Sequence, residues 1–488
     1  MNNNANGKSR MKNLVLRATL ALAMAFATLP GFADAPASTG PAPATTVDVD
    51  QLAARMKKNV EIYQRVRDQA LAAYARLHPS PAAYDADAQQ SLRLAAYLWV
   101  WGDFYREGLG TIAADDAMSA LRSGAKDPML LALTVIHVFD SNHLSDDPEA
   151  QEIDATADQL AGTDYPAALK FWYDRIDAKN LVSLKTGQQS QDPKTLALLP
   201  GAVAKAAKAY GDLIKLHLDN DLLFEQGHTL LHDLQSDGES LQAAHDTIDQ
   251  CFAQEDPNGV LRQAMQGAYF TDFAWTARGT DYADKVTPEG MGLFADRLQT
   301  ADGILEKAYA DHPGAGILSR EMLTVELGQG QGRDRMELWF GRAIQANPDD
   351  FLAYSAKAYY LSPEWYGSDD DLWNFGVKCA ATQNWSAKIP MILVDIMVSY
   401  LWKKHPEILA DQEKWAVVES TFRGYLAHYP RSNYYRSVFA RCAVIGGHWA
   451  VAEEQFKLLG NDWDRIVFPG QRYPQMKGLA DKNSALTP

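Results

Sequence analysis

One spacing, repeated along the C-terminal half of the chain, narrows what it can become. Leu305, Ala308 and Pro313 lie three and then five residues apart, as do Phe340, Ala343 and Pro348, and Phe422, Tyr425 and Pro430. Phe456, Leu459 and Asp464 keep the same register without the proline. Pro313 to Pro348 is 35 residues and Pro430 to Asp464 is 34, the period of a unit of two packed helices. A large and a small residue pack the second helix of each pair. Proline, which has no N–H and restricts the residue before it, then ends that helix at a set length. The pattern predicts an all-α fold, an α/α helical-repeat solenoid.

Residues 333–385 show the pattern at its densest. Met336, Trp339, Phe340, Ala343 and Ile344 share one helical face. Asn347-Pro348-Asp349-Asp350 ends that helix, and either aspartate is placed to cap the next. A second helix carries Leu352, Ala356, Tyr359 and Tyr360. An aromatic connector follows, Glu364-Trp365-Tyr366-Gly367-Ser368, and a third helix starts at Asp369-Asp370-Asp371.

Helical stripes run through most of the remainder, and no convincing run of alternating β-branched residues interrupts 49–269. A single helix is expected over 49–77. Residues 186–200, polar and with two prolines, read as an exposed loop or a weak boundary. Residues 49–269 are expected to form an N-terminal helical domain and 288–464 the C-terminal repeats. Between them, 270–288 reads as a connector, with aromatics gathered at Tyr269, Phe270, Phe273, Trp275 and Tyr282. The apolar stretch 389–404 reads as a helix buried on most sides, and the Gly- and Pro-containing tail 465–488 as irregular.

The C-terminal repeats resemble the tetratricopeptide repeat. The best match is 434–464, where Ala440 takes the small first-helix position, Gly447 the turn and Trp449 the aromatic after it. Ala452 takes the helix-crossing alanine, and Phe456 the second-helix aromatic. The family's Trp-x-x-Leu-Gly opening is replaced by Arg436, Phe439 and Ala440, so its peptide-contacting residues are not carried over. The resemblance is partial over 301–464 and does not extend to the N-terminal part. Residues 355–375 also resemble a segment of bacterial helical-repeat proteins of the DUF4034 type, which implies no activity.

The first 35 residues read as a secretory signal peptide: a basic start at Lys12, a largely apolar run over 14–29, and small-x-small cleavage patterns at Ala33-Asp34-Ala35 and Gly31-Phe32-Ala33. Residues 36–48 form a flexible Pro-, Ala- and Thr-rich lead-in. Localisation in the periplasm or secretion follows, with no later membrane span expected. The formal net charge of −16 disfavours nucleic acid and anionic lipid as partners. Cys251, Cys379 and Cys442 form no metal motif, and their odd number leaves at least one thiol free or joined to another chain. Buried single thiols are the expectation.

Two constellations invite a metal, and both have plainer readings. Glu225, His228 and His232 fall at i, i+3 and i+7 of an expected helix, but Gly227 interrupts it and no HExxH pattern exists. They read as polar-face histidines. His137, Asp140 and His143 sit where a helix ends, and turn chemistry accounts for them. The acid runs Asp115-Asp116, Asp146-Asp147 and Asp369-Asp370-Asp371 read as helix N-terminal charge. Trp365 and Tyr366, beside Asp369 and Asp370, are the candidate binding surface. No catalytic residue, metal or cofactor is expected.

These features predict an exported, non-enzymatic scaffold that binds a protein or cell-envelope partner, its acidic surface suited to a basic segment. The alternative is an all-α hydrolase or lyase acting on a polysaccharide. That reading requires two acids and several aromatics in one deep cleft. A disulfide-linked assembly is a third possibility.

Overall fold

The computed structural model describes residues 47–485, apart from 57, 104–105, 141–144, 188, 236–240, 256–258, 280–284 and 402–403. The expected signal peptide and all of the lead-in except Val47 and Asp48 lie outside the described residues, as do Tyr282, His143 and the side chains of His137 and Asp140. The fold is an all-α helical-repeat fold, with no strand among the described residues.

The first helices are α1 (Val49–Ala54), α2 (Val60–Leu77), α3 (Asp85–Trp101), α4 (Leu109–Arg122) and α5 (Pro128–Asp140). Next come α6 (Asp147–Ala161), α7 (Ala167–Thr186), α8 (Leu199–Ile214), α9 (Asn220–Gln235), α10 (Leu241–Glu255) and α11 (Val260–Arg278). The repeats comprise α12 (Pro288–Asp311), α13 (Gly316–Gln329), α14 (Arg333–Ala346), α15 (Phe351–Tyr360), α16 (Asp369–Ala381) and α17 (Ile392–Ile396). The last are α18 (Gln412–His428), α19 (Asn433–Gly446), α20 (Trp449–Leu459) and α21 (Arg472–Ser484). Most of them pack on their neighbour in sequence, as in α2 on α3, α13 on α14 and α19 on α20. Packing divides the chain into an N-terminal unit, ending at Tyr269, and a C-terminal unit, starting at Phe270, to which residues 106–108 also belong.

The three prolines share one setting. Helices α12, α14 and α18 end on His312, Asn347 and Tyr429, at φ −129°, −142° and −128°. Each donates its N–H to the carbonyl four residues back, on Ala308, Ala343 and Tyr425, at 2.8, 2.9 and 2.9 Å. Pro313, Pro348 and Pro430 come next, and the extended φ is what a following proline imposes. The packing residues of the spacing, Leu305, Ala308, Phe340, Ala343, Phe422 and Tyr425, are all buried. The same ending occurs in the N-terminal unit, where His78 (φ −123°) precedes Pro79 and donates to Tyr74 at 2.9 Å. Asp464 does not share it: α20 already stops at Gly460 (φ 55°), and Asp464 accepts from the N–H groups of Ile466 and Val467.

Several expectations need correcting. The helix over 49–77 is two helices, the first ending at Ala54 and the second starting at Val60, just after Asn59 with its left-handed φ of 67°. The stretch 186–200 is not an open exposed loop: Pro193–Leu196 is a short helix, and Ser190 and Thr195 are buried. No connector starts at 270: α11 runs unbroken to Arg278, and the division between the units falls inside it. The tail is not irregular, since α21 docks on α20 through Tyr473, whose ring stacks on Trp463 at 4.0 Å. Pro474 stands in its first turn, where a missing N–H is harmless. Asp115 and Asp116 lie within α4, not at its start, and burial, with Asp87 and Asp115 nearby, pushes Asp116 up to about 6.

The stretch 389–401 is buried as expected, and it ends in a π turn over Met397–Leu401. Cys379 and Cys442 are buried single thiols, pushed up to about 12 by burial, and Cys251 is half-buried. No helix among the described residues is long and apolar enough to cross a membrane.

Candidate functional site

Three consecutive helices of the C-terminal unit each turn one stripe toward a common groove. α14 supplies Arg333, Glu337 and Phe340, at i, i+4 and i+7, and α15 supplies Tyr354 and Lys357, with Leu361 just beyond it. α16 supplies Asp371, Asn374, Phe375 and Lys378. These spacings keep each set on one helical face. The groove encloses about 380 Å³, within the size range of small-ligand sites.

Its floor is aromatic. Phe340 meets Tyr354 edge-on at 5.3 Å and Phe375 at 5.9 Å, and Tyr354 lies nearly parallel to Phe375 at 6.3 Å. The Lys357 ammonium sits 4.2 Å from the Phe340 ring and 5.0 Å from the Phe375 ring, and pairs with Glu337. Only 8% of Lys357 is exposed. Burial lowers its pKa, and Glu337 partly restores it. At the mouth, Arg333 bonds Asp371 at 2.7 Å and holds its carboxyl below the usual range, with Ser368 adding a second bond. Lys378 is exposed and enters no ion pair among the described residues. The groove therefore carries two balanced charge pairs and one spare cation, not the surplus of acids that would draw a basic segment.

The residues singled out from the sequence lie beside this groove rather than in it. Trp365 is half-buried, edge-on to Trp275 at 5.6 Å and to Tyr359 at 5.8 Å. Tyr366 is 43% exposed, yet its hydroxyl donates to the Leu327 carbonyl at 3.1 Å and its ring packs on Tyr360 at 4.8 Å. Both fasten the connector between α15 and α16. Ser368 caps α16, and Asp369, in its first turn, pairs with His405 at 2.9 Å while Asp370 is exposed. Asp350 caps α15, accepting from the N–H groups of Leu352 and Ala353 at 3.1 and 3.2 Å. Lys357 and Tyr354 were missed because a lysine amid apolar residues reads as a solvated interruption. The signal was their placement, three residues apart and in helical register with Leu361.

In the N-terminal unit, Gly227 does not break α9. A Cβ there would lie 2.1 Å from the Tyr210 hydroxyl, so the glycine admits a fully buried tyrosine whose O–H donates to the Leu223 carbonyl at 2.8 Å. The helix continues unbroken and aligns His228 and His232, whose Nε2 atoms are 3.2 Å apart. The chain matches no family model, no curated protein and no solved structure.

Proposed function

We propose that the protein is an exported, tetratricopeptide-like binding protein whose C-terminal unit holds a partner segment in the groove between α14, α15 and α16. The single observation that carries this reading is the convergence of one stripe from each of three successive helices on an aromatic floor. A floor of Phe340, Tyr354 and Phe375 favours an apolar or aromatic side chain, and the spare Lys378 favours an acidic neighbour on it. The partner is thus a protein or envelope component presenting an apolar-acidic segment. Hydrolysis of a polysaccharide needs one carboxyl kept protonated beside an ionised one. Arg333 pulls Asp371 the other way and Glu337 is engaged by Lys357, so the geometry favours binding over chemistry.

Asn374 is exposed at the groove, so Asn374→Trp fills it without disturbing the core. A displayed peptide library selected on the wild-type protein is expected to yield apolar-acidic sequences that bind the Trp variant about tenfold more weakly or worse. Sequences that bind both proteins equally, or a failure to enrich any sequence, would overturn the groove as the binding site.

A further inference from the structure

The two histidines of α9 form a site that the binding groove does not use. His228 and His232 stand one turn apart, on the same face of the helix as Glu225. His228 is only 5% exposed, and its ring lies against Phe224 at 5.3 Å, nearly parallel. That contact limits how far the imidazole turns. His232 meets it at a steep angle, with ring centres 4.4 Å apart and the two Nε2 atoms 3.2 Å apart. At that separation the two nitrogens share one proton at most, because two facing N–H groups would collide and two lone pairs would repel.

A metal ion resolves the same geometry differently. Imidazole nitrogens bind zinc at about 2.0–2.1 Å, which places two of them about 3.3 Å apart in a tetrahedral site. The observed 3.2 Å is close to that bite. The scaffold beneath is closely packed: the buried Tyr210 seats itself over Gly227, in the turn just before His228, and ties α9 to α8. We propose that α9 carries a transition-metal site, with zinc the fitting ion, in which the Nε2 atoms of His228 and His232 are the protein's imidazole ligands. The ion takes both lone pairs, and the shared proton is released to solvent.

The test uses the mature chain stripped with a chelator and titrated with zinc chloride alone. The wild-type protein is expected to take up a single equivalent. The variants His232→Gln and His228→Gln should bind about tenfold more weakly or worse, since removing even an outer-shell partner commonly costs that much. His405→Gln serves as the control. That residue is a surface histidine flanked by Asp369 and Glu407, and its loss should leave uptake unchanged. Zinc-edge absorption of the unmutated protein should show imidazole ligands, a measurement that does not depend on a variant folding. No uptake at micromolar zinc, unchanged uptake in His232→Gln, or loss of uptake in His405→Gln would overturn the site.

Discussion

Gly367→Ala is expected to destabilise the C-terminal unit by about 3 kcal/mol or more. After α15 the chain turns back on itself: Trp365 donates its N–H to the Ser362 carbonyl at 2.9 Å, and Tyr366 to the Tyr360 carbonyl at 3.1 Å. The turn brings Gly367 onto the backbone of Leu361, so that a Cβ would lie 2.1 Å from its carbonyl oxygen and 2.5 Å from its carbonyl carbon. No flexible side chain is available to yield. Relief requires moving the connector, and with it the Trp365 contact on Trp275, the Tyr366 bond to Leu327 and the Ser368 cap of α16. Because α16 is one wall of the groove, the binding proposed there should weaken with stability. Gly341→Ala is the control. Gly341 lies mid-helix in α14 with open space where its Cβ would be, so alanine there should be neutral or stabilising by up to about 1 kcal/mol. Urea unfolding of both variants decides the matter. A Gly367→Ala midpoint near that of the wild type would show that the close approach does not exist.

That glycine marks the limit of what a sequence discloses. Features that depend on a few adjacent residues were legible: proline restricts only its predecessor, so the endings before Pro313, Pro348 and Pro430 could be read directly, as could a cap from Asp349 or Asp350, of which the fold uses Asp350. Features that depend on a distant partner were not. Gly227 looked like a break because Tyr210, which fills its place, is remote in sequence and its hydroxyl carries no local signal. That Trp365 and Tyr366 also pack against the chain was not legible, because their partners, Trp275 and Leu327, lie in α11 and α13. Of the groove, Phe340 reads as a helix-face residue, but that it shares a floor with Phe375, Tyr354 and Lys357 requires the helices to be placed. The π turn at Met397–Leu401 has no counterpart in apolar periodicity, since an apolar run looks the same in either helix.

Lys205→Met is expected to destabilise the N-terminal unit by about 3 kcal/mol at neutral pH, because breaking a buried charge arrangement leaves the remaining charges uncompensated. The Lys205 ammonium of α8 lies 2.6 Å from Asp154 and 3.1 Å from Asp158 of α6, and 3.8 Å from Asp177 of α7. Asp177 is 0% exposed, and its carboxyl is within hydrogen-bond reach of Asp154. Burial raises its pKa well above the usual value, the neighbouring Asp154 raises it further, and Lys205 pulls it back. Burial likewise pushes Asp174 of α7 up to about 7, against the pull of Lys205, Lys170 and Lys208. A carboxyl with a raised folded pKa holds its proton more tightly in the folded state than in the unfolded chain. Its contribution to stability is complete below the ordinary value of 3.8 and is lost as pH rises through about 7 for Asp174. Removing Lys205 takes away the charge that moderates this loss. The deficit of the Met variant should therefore be smaller near pH 4, where Asp174 and Asp177 are protonated in both proteins, and should grow as pH rises toward 8. Lys205→Arg, which keeps the charge, should lose much less. Urea midpoints at the two pH values distinguish this from a packing defect, since a deficit of equal size at both would place the effect in lost methylene contacts and not in the acids around Lys205.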